Sequence, residues 1–307
     1  MDEPLVASGE QVTIGAGDLR LTAVTVGGGL RELTLSDWHV LDGYAAGDVA
    51  PGGAGQPLIP WPNRLAGGRY EFAGRRHQAP ITEPEKDNAV HGLARWLTWR
   101  VERHEPSLAR LALDLFPRPG YPFALRLAIE YEVHPAGVRV TTTATNAGPK
   151  AAPYAQGFHP YLSLGSPSVN ASVLNVPAAT HLVTDERQIP VARRGVEGTG
   201  LDFRTPRPIG DARLDVAYTD LERDGDGMAR VRLATPDGAR RVAVSMDDAY
   251  AYVMVFTGDT LGDPSRRRRA VAVEPMTAAP NAFNSGDGLR VLEPGKTFEC
   301  VWGIEIG

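Results

Sequence analysis

The chain is 307 residues long with a formal charge of −5, 42% hydrophobic and 22% charged residues, a profile that excludes a disordered chain and a general nucleic-acid surface. Its 34 glycines and 25 prolines make up close to a fifth of the residues, against roughly 12% in ordinary proteins, which leaves little room for long helices. One cysteine, Cys300, excludes a disulfide framework, and no apolar run reaches the roughly 18 residues that a membrane helix needs.

The opening stretch MDEPLVASGE is acidic and lacks a basic-then-apolar signal pattern, so a cytoplasmic protein with no membrane partner is expected. The glycines at 27–29 and 52–55 complete neither of the glycine motifs that cradle nucleotide phosphates. Residues 48–56 (DVAPGGAGQ) read as a surface loop. Period-two alternation then recurs: Leu97, Trp99 and Val101; Ala109 to Leu115; Leu125 to Val133; Val138, Val140 and Thr142; and finally Phe298, Cys300, Trp302, Ile304 and Ile306. Short strands joined directly by Gly/Pro turns predict antiparallel hairpins, and no repeat of fixed period points to a propeller or solenoid. The expected fold is all-β, one domain over residues 1–307. Residues 260–269, with the run Arg266 to Arg269, read as a second surface loop, and the acidic total argues against a nucleic-acid partner.

Chemistry-bearing residues stand out by context. The seven histidines show no helical zinc spacing, so no metal site is expected. His91 lies in NAVHGL (88–93), a tight turn, and His159 in YAQGFHPYL (154–162), among aromatic residues and a proline. Each could serve as an acid near neutral pH or be a turn histidine satisfied by backbone bonds. Glu274 follows the apolar run at 270–273, where an ionised carboxylate is costly unless paired or used. A salt bridge to an arginine would also account for it. Asn63 and Arg64, in PWPNRLAGGRY (60–70), offer a guanidinium that could grip hydroxyls or form a structural ion pair. Asp215, in LDVAY (214–218), could accept sugar hydroxyls or merely bound a strand. Cys300 alternates inward and reads as a small buried apolar residue.

Taken in order, these segments resemble the aldose 1-epimerase (galactose mutarotase) family: PWPNRLAGGRY, NAVHGL, Thr145-Asn146 with GFHPYL (157–162), LDVAYTDL (214–221), VFTG (255–258), AVEPMTAAPN (272–281) and LEPG (292–295). The match spans nearly the whole chain. Phe158, where an asparagine often stands, and Met254, where some members place a polar contact, resemble a bacterial subgroup of sulfoquinovose mutarotases. The resemblance implies a large antiparallel β-sandwich with few short helices. It implies His159 as general acid, Glu274 as general base, and Asn63, Arg64, His91 and Asp215 as sugar-binding groups. It implies a small-molecule sugar substrate, no metal or organic cofactor, and a monomer or homodimer. The leading expectation is interconversion of the α and β anomers of a free, neutral hexose. The alternatives are an anionic sugar such as sulfoquinovose or a hexose phosphate, and a non-catalytic carbohydrate-binding module on the same fold.

Overall fold

Residues 5–307 are described by the structure, a computed structural model. The alternating segments become strands with one face inward. In Leu125–His134, for example, Leu125, Leu127, Ile129, Tyr131 and Val133 are buried while Arg126, Glu132 and His134 are exposed. That strand belongs to a nine-stranded antiparallel sheet. The order is Arg100–His104, Leu108–Leu115, Leu125–His134, Gly137–Asn146, Thr297–Ile306, Arg241–Met246, Ala229–Ala234, Val173–Asn175 and Arg207–Pro208. The strand Thr297–Ile306 is central, with Trp302 opposite Val140 on one side and Met246 on the other.

A second antiparallel sheet runs Pro190–Gly195, Ala178–Thr184, Asp215–Leu221, Tyr252–Phe256, Val271–Met276, Gly157–Phe158 and Pro57–Leu58, with Tyr161–Leu162 also on Val271–Met276. Its inner face meets the first sheet: the Phe158 ring lies 4.9 Å from that of Trp302, and Val253, Val255, Val271 and Val273 share one apolar cluster with Val140 and Val244. This is the expected β-sandwich. An amino-terminal meander, Gln11–Ala16, Leu19–Val24, Leu30–Leu35 and Trp38–His39, feeds Val12, Ile14 and Leu21 into the same core. Among the described residues the one α-helix is Ala282–Ser285.

One loop reading needs adjustment. Residues 48–56 are not simply a surface loop, because Gly53, Ala54, Gly55 and Gln56 are buried. Gly55 N–H donates to the His159 carbonyl at 2.9 Å, and its own carbonyl accepts from Leu30 N–H at 2.9 Å. Only glycine fits there, since its φ is +68° and a Cβ would lie 1.8 Å from the Leu30 carbonyl oxygen. Turn composition signals a bend but not its depth. Residues 260–269 do form a surface loop, with Arg267 and Arg269 exposed, and its arginines are also bonded: Arg266 and Arg269 both reach Asp42, and Arg268 pairs with Asp259 at 2.9 Å.

Candidate active site

Strand register builds the site. Met254 stands opposite Glu274, Phe256 opposite both Asp215 and Ala272, and Tyr161 opposite Ala272, so these side chains share the outward face of the second sheet. Val253, Val255, Val271 and Val273, on the alternate positions, face the core. The sequence therefore has to place a carboxylate on a strand whose neighbours on both sides are apolar. Over this face the chain folds the turns carrying Asn63, Arg64 and His91, giving a cleft of about 380 Å³. All six residues singled out from the sequence line it: Asn63, Arg64, His91, His159, Asp215 and Glu274.

At its floor, His159 Nε2 lies 3.3 Å from Glu274 Oε1, and both side chains are buried. The partner of Glu274 is thus a histidine rather than an arginine. Burial drives both groups toward their uncharged forms. It lowers the His159 imidazole to about 3, helped by the nearby Arg95 charge, and raises the Glu274 carboxyl well above 4.5, helped by Asp215 and opposed by Arg64. His159 Nδ1 and Glu274 Oε2 are buried without a hydrogen-bond partner among the described residues. The His159 ring stacks on Tyr161 at 4.8 Å and meets the edge of His91 at 5.3 Å.

His91 is fixed by the neighbouring turn. Its Nδ1 accepts from Asn63 N–H at 3.2 Å, and its own N–H donates to the Asn63 carbonyl at 2.9 Å. A backbone N–H can only donate, so the ring proton resides on Nε2 and His91 is neutral. Burial lowers its pKa well below 6.5, with Arg95, His159 and Arg64 adding to the effect. Asn63 and His91 both adopt left-handed backbone, at φ +53° and +63°. Asn63 Oδ1 accepts from Arg64 N–H at 2.9 Å, leaving its amide NH₂ without a partner among the described residues. The fork of Arg64 is partly engaged: Nε and Nη2 bind Glu83 at 2.8 and 2.9 Å, so Nη1 and the second N–H of Nη2 remain for other partners. Asp215 accepts from the Gln188 amide, which in turn accepts from Lys86.

His91, His159 and Glu274 each bring a ring nitrogen or carboxylate oxygen within 4.8 Å of the others, but His91 has no lone pair left for a cation, since its Nδ1 accepts from Asn63 N–H and its Nε2 carries the proton. Linear spacing did not reveal this grouping, because the three come from separate segments. The sequence reading also missed Glu83, Arg95, Trp96 and Tyr161 on the cleft wall. Tyr161 stood inside GFHPYL and, two residues from His159, could have been inferred from alternation. Arg95 and Glu83 carried no local signal. Cys300, read as a plain apolar residue, accepts a hydrogen bond from Gln156 Nε2 at 2.8 Å, and burial pushes its thiol up to about 12.

The raised Glu274 carboxyl makes a stability prediction. The unfolded chain releases this proton near 4.5, whereas the folded protein retains it to higher pH. The folded state then binds more protons, so its stability is present below 4.5 and is lost as pH rises toward the folded-state value. Glu274→Gln removes this dependence. The variant should gain stability relative to the parent as pH rises from 5 to 8, by at most about 1.4 kcal/mol per pH unit. Denaturant unfolding of both proteins across this range checks it, and a constant gap refutes it.

Known proteins share this architecture. The aldose 1-epimerase family model matches residues 10–304. The uncharacterised Escherichia coli (strain K12) protein YihR is 34% identical over 298 residues, covering 97% of this chain and 93% of its own. Among solved structures, a GalM/aldose epimerase homologue from C. elegans superposes with a TM-score of 0.87 at 18% identity, covering 97% of this chain and 98% of that one. The galactose 1-epimerase from Lactobacillus acidophilus NCFM gives 0.78 at 20% identity, covering 94% and 91%. The chain belongs to the aldose 1-epimerase family, isomerases that act on carbohydrates.

Proposed function

We propose that the protein interconverts the α and β anomers of a free hexose, with Glu274 as base and His159 as acid. The observation that carries this reading is the 3.3 Å approach of His159 Nε2 to Glu274 Oε1 at the floor of a cleft lined by hydrogen-bonding groups. Opening a cyclic hemiacetal removes the proton on O1 and delivers one to the ring oxygen. The pair needs a single proton for both tasks. In its uncharged form that proton sits on the carboxyl; transfer to His159 gives an imidazolium and a carboxylate, attracted to each other and, for the carboxylate, to Arg64. Glu274 then takes the O1 proton while His159 protonates the ring oxygen, C1–C2 rotates, and the same groups in reverse close either anomer.

The remaining groups hold the sugar. His91 Nε2–H and the Asn63 amide NH₂ donate to hydroxyl or ring oxygens, Arg64 Nη1 adds a third donor, and Asp215 accepts from hydroxyls. NMR exchange spectroscopy of α- and β-hexoses, neutral and acidic, tests the reading. Added protein should raise the anomer exchange rate in proportion to its concentration. An exchange rate unchanged for every hexose would overturn it.

A further inference from the structure

Arg64 and Asp215 stand on different strands, yet both are held from the turn at residues 83–88. Arg64 meets Glu83 directly, and Glu83 Oε2 also accepts from the buried Asn88 Nδ2 at 3.1 Å. Asp215 is reached through an intermediary. Gln188 donates its amide NH₂ to Asp215 Oδ2, and its carbonyl oxygen accepts from Lys86 Nζ. An ammonium only donates and a carboxylate only accepts, so an amide can bridge them in one orientation alone. With Oδ2 taken, Asp215 offers the cleft its Oδ1, which has no partner among the described residues. Gln188 itself stands behind Asp215, outside the cleft lining.

The backbone is shaped to bring Gln188 there. It belongs to the turn between Ala178–Thr184 and Pro190–Gly195, where Asp185 Oδ1 accepts from Arg187 and Ile189 N–H at 2.9 Å each. Gln188 adopts φ +60°, a left-handed conformation that residues other than glycine seldom take. A long polar side chain kept on strained backbone points to a task for that side chain. Docking the turn is not that task, because Arg187 performs it. Its Nε donates to the Lys86 carbonyl at 2.9 Å and its Nη2 to the Asp87 carbonyl at 2.6 Å. The Arg187 carbonyl in turn accepts from Asn88 Nδ2 at 2.9 Å.

We propose that Gln188 is a positioning and specificity residue: it fixes the Asp215 carboxylate so that Oδ1 alone, in one direction, accepts a single hydroxyl of the sugar. The contact of Asp215 with sugar rests on the mutarotase reading, whereas the hold of Gln188 on Asp215 stands on the geometry. A carboxylate free to rotate would offer either oxygen to more than one hydroxyl and would lose rotational freedom at each binding event. The held acceptor meets substrate and transition state alike, so its loss raises KM and leaves kcat.

The experiment compares the parent, Gln188→Gly, Gln188→Asn and Asp215→Ala by NMR anomer exchange on glucose and its 2-, 3-, 4- and 6-deoxy forms. Glycine keeps the left-handed turn without strain, and asparagine tolerates it but falls a methylene short. Both remove the bridge and spare the fold, which thermal melts check. The deoxy sugar least impaired by Asp215→Ala marks the hydroxyl that Asp215 holds. For glucose and the other deoxy sugars, both Gln188 variants should raise KM about tenfold, with kcat within about twofold. For the marked sugar, KM should move by less than about twofold. An equal loss with every sugar, as a merely loosened turn would give, overturns the proposal, and so does no loss with any. If no sugar exchanges at all, the mutarotase reading fails, and calorimetric titration of the same sugars decides the role of Gln188. Binding that Gln188→Gly weakens for every sugar but one upholds it; absent binding, or a uniform change, ends it.

Discussion

Glu274→Gln should lower kcat/KM for anomer exchange by about 10²–10⁴-fold with the fold retained. Gln is isosteric with the protonated carboxyl that burial favours, so the packing of Val271–Met276 against Tyr252–Phe256 has no reason to change. What disappears is the site that receives the O1 proton. His159→Gln should have an effect of similar size, because it removes the proton carrier on the other side of the ring. The double variant should be little slower than the worse single one, since the two groups act on one shared proton and their losses do not add. Rates and circular dichroism of the three variants test this. A Glu274→Gln protein that retains more than a tenth of the parent rate would remove Glu274 from the mechanism.

Gly55→Ala should be among the most damaging single substitutions outside the site, costing about 3 kcal/mol or more or leaving the protein insoluble. The methyl would meet the Leu30 carbonyl oxygen at 1.8 Å, and the residue would have to keep a φ of +68°. Relief requires the backbone to move, which breaks the bond from Leu30 N–H to the Gly55 carbonyl or the one from Gly55 N–H to the His159 carbonyl. The second of these holds the backbone of the proposed acid. Any soluble Gly55→Ala protein should therefore lose activity beyond its loss of stability, as paired unfolding and rate measurements would reveal. Gly74 supplies the control: its φ is also positive, at +71°, but a methyl there would meet no atom of the described residues within 4 Å beyond its chain neighbours, so its substitution by Ala should cost far less.

Much of the fold was legible because alternation is a direct imprint of a half-buried sheet. Phe298 to Ile306 reads as one strand from its inward apolar positions, and the structure pairs it accordingly. The six site candidates were legible for two reasons. Glu274 breaks an apolar strand with a charge, and Asn63, Arg64, His91 and His159 sit in or beside turns whose glycines and prolines mark unusual backbone, as the positive φ of Asn63 and His91 bears out, whereas Asp215 opens the strand Asp215–Leu221 and is marked only by its charge. Arg95 was not legible. It lines the cleft without a carboxylate partner among the described residues, and neither its place on the cleft wall nor that missing partner leaves a trace in sequence. The engagement of Arg64 by Glu83 was hidden for the same reason, since 19 residues separate the two. Residues 48–56 misled because glycine and proline look alike in an exposed turn and in a backbone wedge between buried strands.

The central place of Thr297–Ile306 in the nine-stranded sheet bears on biosynthesis. While a ribosome is still making the chain, Gly137–Asn146 and Arg241–Met246 are available well before the strand that joins them. Each is then the open edge of a half-sheet, a ready template for pairing with the wrong neighbour. Because Trp302 is also the surface against which Phe158 packs, the backbone beside His159 stays unsupported until that strand arrives. The nascent protein is thus held inactive and vulnerable to aggregation over the same interval, and both conditions end with the insertion of one late strand.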